Sequence, residues 1–287
     1  MAGGRGFGIV STTKGTEMPA SDSMALTNPV KERMKAGEVA LGLNVRIARS
    51  GDIARIAKTT GHDFIFIDVQ HSLFSLETIG HIAQAALGCG IAPLARVRSC
   101  ADPDTSLLLD NGVTGIVFPD VNNAADARRG VDAAKFAPIG KRSVSGGYPV
   151  FDYRAVPVAD SMALLNEATL VVCMIETREG LANIEEIAAV DGVDVIHIGS
   201  NDLLTALGKP GRFDDPEIFS AIDRAIAAAK AHGKFAGLGG MRNVARQVEL
   251  IRKGVRFVTT QTDIGFLLAA AGRWTGDLRA ALAQVAR

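Results

Sequence analysis

Eight short apolar runs, each followed by a stretch with helical periodicity, leave few folds open to this 287-residue chain. The runs lie at 39–44, 64–69, 92–97, 114–119, 169–176, 193–199, 235–238 and 256–260. Helical patterns occupy 50–58, 76–87, 104–111, 124–136, a stretch ending near Glu167, 181–190, 216–232, 244–253 and 264–285. Most of the runs are apolar throughout rather than alternating, the mark of parallel strands covered on both faces. Gly61, Gly90, Asn111, Gly233 and Gly254 punctuate helix ends, where a left-handed cap turns the chain back. Eight strand–helix units predict an α/β fold of the (β/α)8 TIM-barrel type. A doubly wound open sheet is the alternative, but no dinucleotide fingerprint follows the first run, and the Gly-rich stretch 3–8 follows no strand.

Composition narrows the class of function. Hydrophobic residues make up 47% of the chain and aromatic residues 5%, which suits a large core of aliphatic βα units. The 31 basic and 31 acidic residues cancel and are evenly mixed, which argues against nucleic acid or an anionic membrane as the main partner. No apolar run approaches the roughly 20 residues of a membrane span. Cys89, Cys100 and Cys173 lie far apart with no paired spacing. A disulfide scaffold or zinc site is therefore not expected, and a reducing, cytoplasmic setting is. Residues 1–28 are rich in Gly, Ser and Thr and do not resemble a secretory signal. They read as a flexible tail before a single barrel domain at 29–287.

Two segments break the routine. Residues 138–157 are long, polar and Gly-rich between elements, as lids and binding loops are. The last helical stretch contains Gly272-Arg-Trp-Thr-Gly and is expected to break into two helices.

In a (β/α)8 barrel the residues just past the strands converge on one face. Asp68 and His71 follow the second strand, Arg96 ends the third, Asp120 follows the fourth, Glu176 the fifth and Asp202 the sixth. Two carboxylates on successive strands suit a hard divalent cation such as Mg²⁺ or Mn²⁺. Such a cation can chelate a 2-oxo acid and make its enolate accessible; a neutral His could then move a proton and an Arg stabilise oxygen charge. Each residue also has a plainer role open to it. Glu176 could pair with Arg178 or cap the helix near Gly180, Asp202 could cap a helix at 203–207, His71 could close its polar turn, and Arg96 could form a barrel-end salt bridge. His197, inside the sixth strand, reads as a packed core residue, and His62, His81 and His232 read as bystanders. The glycines of 237–240 could hold a phosphate but are better read as a tight turn.

The segments 66–72 (FIDVQHS), 93–97 (PLARV), 109–119 (LDNGVTGIVFP), 175–183 (IETREGLAN) and 198–203 (IGSNDL) resemble the HpcH/HpaI family of metal-dependent class II pyruvate aldolases. The likeness runs from about residue 30 to the C-terminal region. It implies reversible cleavage of a 4-hydroxy-2-oxo acid to pyruvate and an aldehyde, with Mg²⁺, Mn²⁺ or Co²⁺ held by Glu176 and Asp202. It further implies Arg96 at the keto oxygen and His71 as the acid–base group, oriented by Asp110 of a neighbouring subunit. Gly199 and Ser200 would meet the substrate carboxylate, and Arg142 and Ser143 would lie near the aldehyde or pyruvate. The family commonly exchanges its last helix between subunits and forms hexamers. Gln70 and Met174 depart from the Glu and Gln that many members carry there. Two other readings stand beside this one: a CoA-thioester lyase, for which no basic cluster is evident, and a non-catalytic metabolite-binding barrel.

Overall fold

The computed structural model describes residues 26–285. Its strands β1 (Ala40–Val45), β2 (Phe64–Asp68), β3 (Ala92–Arg96), β4 (Gly115–Phe118), β5 (Leu170–Ile175), β6 (Val195–Gly199), β7 (Phe235–Gly239) and β8 (Val255–Thr262) close into a barrel in chain order. Every neighbouring pair is parallel, and β8 returns to β1 with Ala40 opposite Phe257. The (β/α)8 barrel expected from the sequence is the fold observed, with strand bounds within two residues of the apolar runs.

Strand side chains alternate between two cores because the period of a strand is two. Phe64, Phe66, Leu94, Val172, Met174 and Phe257 fill the barrel, while Ile65, Ile67, Ile116, Val171, Cys173 and Ile196 pack against the helices. Phe64 and Phe257 stack with centroids 4.5 Å apart. β1 meets them with Gly42, where a Cβ would lie 2.0 Å from the Phe64 ring.

The N-terminal end of the barrel is closed by an element the sequence reading did not anticipate, the helix Pro29–Lys35. Asn28 caps it by accepting from the Val30 N–H, and Pro29 holds the first position, where its missing N–H is harmless. Val30 and Met34 join the barrel's inner cluster, and the Lys31 ammonium donates to the carbonyl of Glu167, just ahead of β5. Leu26 packs with Phe136 and Phe151, so the folded body begins by residue 26 rather than at 29. The tail reading for residues 1–25 lies outside the described residues.

Two further expectations change. Asn111 stays right-handed and the left-handed turn falls on Gly112, at φ 103°. The C-terminal segment is one helix, Asp263–Val285, unbroken over 23 residues. Each of Gly272 and Gly276 weakens it by about 1 kcal/mol relative to Ala, but the surrounding alanines and leucines favour helix enough to carry it through. From Phe266 onward it is exposed to solvent.

Candidate active site

The register of β2 against β3 sets Asp68 directly opposite Arg96 at the C-terminal mouth. The two form a buried, two-pronged ion pair, Arg96 Nε and Nη2 donating to Asp68 at 3.0 and 2.8 Å. Asp68 Oδ1 also accepts from the His71 backbone N–H at 3.2 Å, so one carboxylate fixes both the guanidinium and the turn that carries the imidazole. The sequence reading put Asp68 at this mouth without giving it a role; a charge ending the run Phe64–Asp68 was the available signal. Arg96 is thus both barrel-end salt bridge and part of the site. The His71 ring is exposed at the mouth and makes no hydrogen bond among the described residues, although its backbone carbonyl accepts from Arg46 Nη2 at 3.1 Å.

Glu176 follows β5 and is 3% exposed. Its Oε1 accepts from the Asp120 backbone N–H at 2.9 Å, an amide turned toward it by the left-handed Asp120, at φ 50°. Its Oε2 is buried with no donor. Burial foremost, with Asp120 and Asp202 also repelling, pushes the Glu176 carboxyl up to about 7. The competing roles for Glu176 are filled by others: Thr177 caps the next helix through Gly180 N–H, and Arg178 donates to the Ala206 carbonyl. Asp202 lies in the first turn of the helix Ser200–Ala206, which opens at Gly199 with no side-chain cap, so Asp202 is not capping it. Gly199 leaves room for Glu176, since a Cβ there would stand 2.5 Å from Oε2. A buried carboxylate oxygen lacking a donor beside a second carboxylate fits a hard cation. Among the described residues no group of three or more His, Cys, Asp or Glu is assembled for a metal, so water and substrate would complete its coordination.

These residues share one cavity of about 250 Å³, lined also by Asn44, Met174, His197 and Ser200. Four of the seven buried side-chain atoms lacking a hydrogen-bond partner among the described residues belong to residues lining it: Asn44 Oδ1, Glu176 Oε2, His197 Nδ1 and Ser200 Oγ. That concentration of unmet polar groups marks a ligand site. His197 is packed, as expected, its ring edge-on to Phe257 at 5.4 Å, yet it also faces the cavity. Gly237 and Gly239 stay in β7 and give its ring room, because a Cβ at either would fall within 2.7 Å of a ring nitrogen. The tight turn expected over 237–240 is instead strand through Gly239, with the left-handed position on Gly240, at φ 87°. Burial, followed by Arg96, pushes the His197 ring down to about 3, so it stays neutral. A groove of about 310 Å³ on the outer wall is lined by Leu76, His81, Leu107 and others and lies away from the strand ends.

Within one chain, Asp110 and Arg142 are paired with each other and not with the mouth. Asp110 ends the helix Thr105–Asp110 ahead of β4, and the buried Arg142 lies against Thr114 and Thr169, both at N-terminal strand ends. Arg142 and the exposed Ser143 therefore stand at the opposite end of their own barrel, and the loop 138–157 does not cover this chain's cavity.

A family model described as HpcH/HpaI aldolase/citrate lyase matches residues 47–270. The chain belongs to that family. It is 37% identical over 268 residues to a 4-hydroxy-4-methyl-2-oxoglutarate aldolase of Chaetomium globosum, covering 92% of this chain and 98% of the relative. A 2-keto-3-deoxy-L-rhamnonate aldolase of Escherichia coli O157:H7 is 32% identical over 239 residues, covering 83% and 88%. The crystal structure of an HpcH/HpaI aldolase from Desulfitobacterium hafniense superposes with a TM-score of 0.82 at 26% identity, covering 87% and 96%. As an HpcH/HpaI aldolase the chain is a carbon–carbon lyase of the divalent-metal-dependent kind.

Proposed function

We propose that the cavity reversibly cleaves a 4-hydroxy-2-oxo acid into pyruvate, or a close analogue, and an aldehyde. The observation that carries this reading is the meeting of an undonated Glu176 oxygen, Asp202, a fixed Arg96 and a free His71 ring around one cavity. Glu176 and Asp202 would hold Mg²⁺, Mn²⁺ or Co²⁺, and such a cation, when bound, polarises the 2-oxo group. Gly199 and Ser200 receive the substrate carboxylate. Arg96, held by Asp68, stabilises the charge that develops on the 2-oxo oxygen. His71 takes the proton of the 4-hydroxyl as the C3–C4 bond breaks; the electron pair of that bond becomes the enolate, and the proton is returned to C3 to give pyruvate.

Asp110, Arg142 and Ser143 serve the cavity of a neighbouring subunit, in a hexamer or trimer that exchanges the C-terminal helix. The exposed stripe Leu267, Trp274, Leu278 and Leu282 on that helix supports this assembly. The three unpaired cysteines support a cytoplasmic setting, and no helix among the described residues is long and apolar enough to cross a membrane. Two of the aldolases reported above bear on the substrate: one is named for a 2-oxo acid with a second carboxylate, the other for a 2-oxo sugar acid with only one.

The test is deuterium exchange of the pyruvate methyl group in D₂O, followed by NMR with added Mn²⁺ and then with EDTA. Exchange that depends on the cation supports the reading. Its absence with every divalent cation would shift the assignment to thioester cleavage, and CoA esters would be tried next.

A further inference from the structure

The charged side chains lining the cavity are three arginines, Arg46, Arg96 and Arg242, and three carboxylates, Asp68, Glu176 and Asp202. Asp68 is committed to Arg96 by two hydrogen bonds and is touched by Arg46 Nε at 3.4 Å. Under the aldolase reading, on which this inference rests, Glu176 and Asp202 are committed to a divalent cation. The cation therefore leaves the lining two positive charges in excess. The carboxylate of a 2-oxo acid offsets one of them, and one remains.

The uncompensated charge has an address. Arg242 follows β7 and its only hydrogen bond among the described residues is from Nη1 to the Thr260 carbonyl at 3.1 Å; it has no carboxylate partner there. Arg46 follows β1, and β8 alone separates those two strands in the barrel. Burial foremost, and then Arg46, hold the Arg242 guanidinium below the usual arginine range, so two like charges are near enough to repel. Arg46 cannot easily turn away. Asp263 binds its backbone N–H at 3.0 Å together with those of Ile47 and Ala48, and Arg46 Nη2 is tied to the His71 carbonyl. Two guanidiniums lining one rim, one of them without a carboxylate partner among the described residues, make an anion site. Arg46 is bonded to the same turn as His71, so this site borders the acceptor half of the substrate rather than the 2-oxo half at Glu176 and Asp202.

We propose that Arg242, with Arg46 beside it, binds a second carboxylate on the acceptor half, so that the enzyme selects 2-oxo acids with a distal carboxylate over equal-length substrates without one. The matched pair for the test is 4-hydroxy-2-oxoglutarate and 4-hydroxy-2-oxopentanoate, which differ only by a carboxylate in place of a methyl group. With Mn²⁺-loaded protein, kcat/KM favours the dicarboxylate by about 30-fold, the size of one charge-assisted hydrogen bond, and the difference lies in KM. Arg242→Gln removes most of that ratio, and Arg242→Lys, which keeps the charge, retains part of it. Calorimetry with 2-oxoglutarate and 2-oxopentanoate, which cannot be cleaved, reads the same preference without turnover. A wild-type ratio near one, or an Arg242→Gln ratio equal to wild type, overturns the inference while metal-dependent pyruvate exchange persists. Loss of exchange in the wild type would instead bring down the aldolase reading and this inference with it.

Discussion

With Oε2 buried and undonated, Glu176 holds its proton up to about pH 7, whereas an ordinary glutamate releases it near 4.5. A cation needs the carboxylate form, so protons and metal compete for one group. Apparent Mn²⁺ affinity should fall about tenfold per pH unit below about pH 7 and level off above it. Titration calorimetry across that range checks this, and a flat profile would remove Glu176 from the site. The stability of the metal-free protein runs the opposite way with pH. Below about 4.5 folded and unfolded chains are both protonated; as pH rises toward 7 the unfolded chain alone gives up its proton, and the folded state loses stability. Gly199, Asp120 and Asp68 owe their place beside these groups to backbone: a missing Cβ, a left-handed amide and a strand register. Sequence placed Asp68 and Asp120 at the mouth, but no local pattern told what either would touch.

The C-terminal helix shows how far an element can be read without its surroundings. Its residues predicted helix on both sides of Gly272-Arg-Trp-Thr-Gly, and the structure carries the helix through, with Thr275 bonding back to the Ala271 carbonyl at 3.0 Å. Only Asp263 is buried, while Trp274 is 76% exposed in a stripe with Leu267, Leu278 and Leu282 at spacings of seven, four and four. Water is a poor neighbour for such a face, and a partner subunit is the cover proposed above. Trp274→Glu combined with Leu278→Glu should weaken assembly by at least about 30-fold, as expected for losing a buried Trp anchor. Light scattering reads the mass, and circular dichroism reports whether the barrel persists. An unchanged mass at low protein concentration would dismiss this helix as the interface.

At the scale of the whole barrel, metal binding and folding are linked, because the two carboxylates come together only when β5 and β6 are paired. Mn²⁺ in hundredfold excess over its dissociation constant should stabilise the native state by about 2.7 kcal/mol, or about 4–5 °C in Tm for a chain of this size. Thermal unfolding with Mn²⁺ and then with EDTA checks it. Equal midpoints would mean that no cation binds the folded form preferentially.

Hydrophobic periodicity by itself determined eight βα units and hence the barrel, since runs that are apolar on both faces have no stable place except a covered parallel sheet. Once the barrel was fixed, strand ends had to converge, so His71, Arg96, Glu176 and Asp202 were legible as one group. The plugging helix Pro29–Lys35 leaves no legible period in the sequence, because it is only seven residues long and its apolar residues, Val30 and Met34, gain meaning only inside the barrel's end. Asp110 and Arg142 were assigned to the site by resemblance, and the tertiary structure paired them at the far end of their own barrel. Likewise Arg242 followed a strand unremarked, and only the closed barrel brought it beside Arg46, from the other end of the sequence. Charge pairing of this kind depends on distances across the mouth, and those are set by closure of the sheet, not by spacing along the chain.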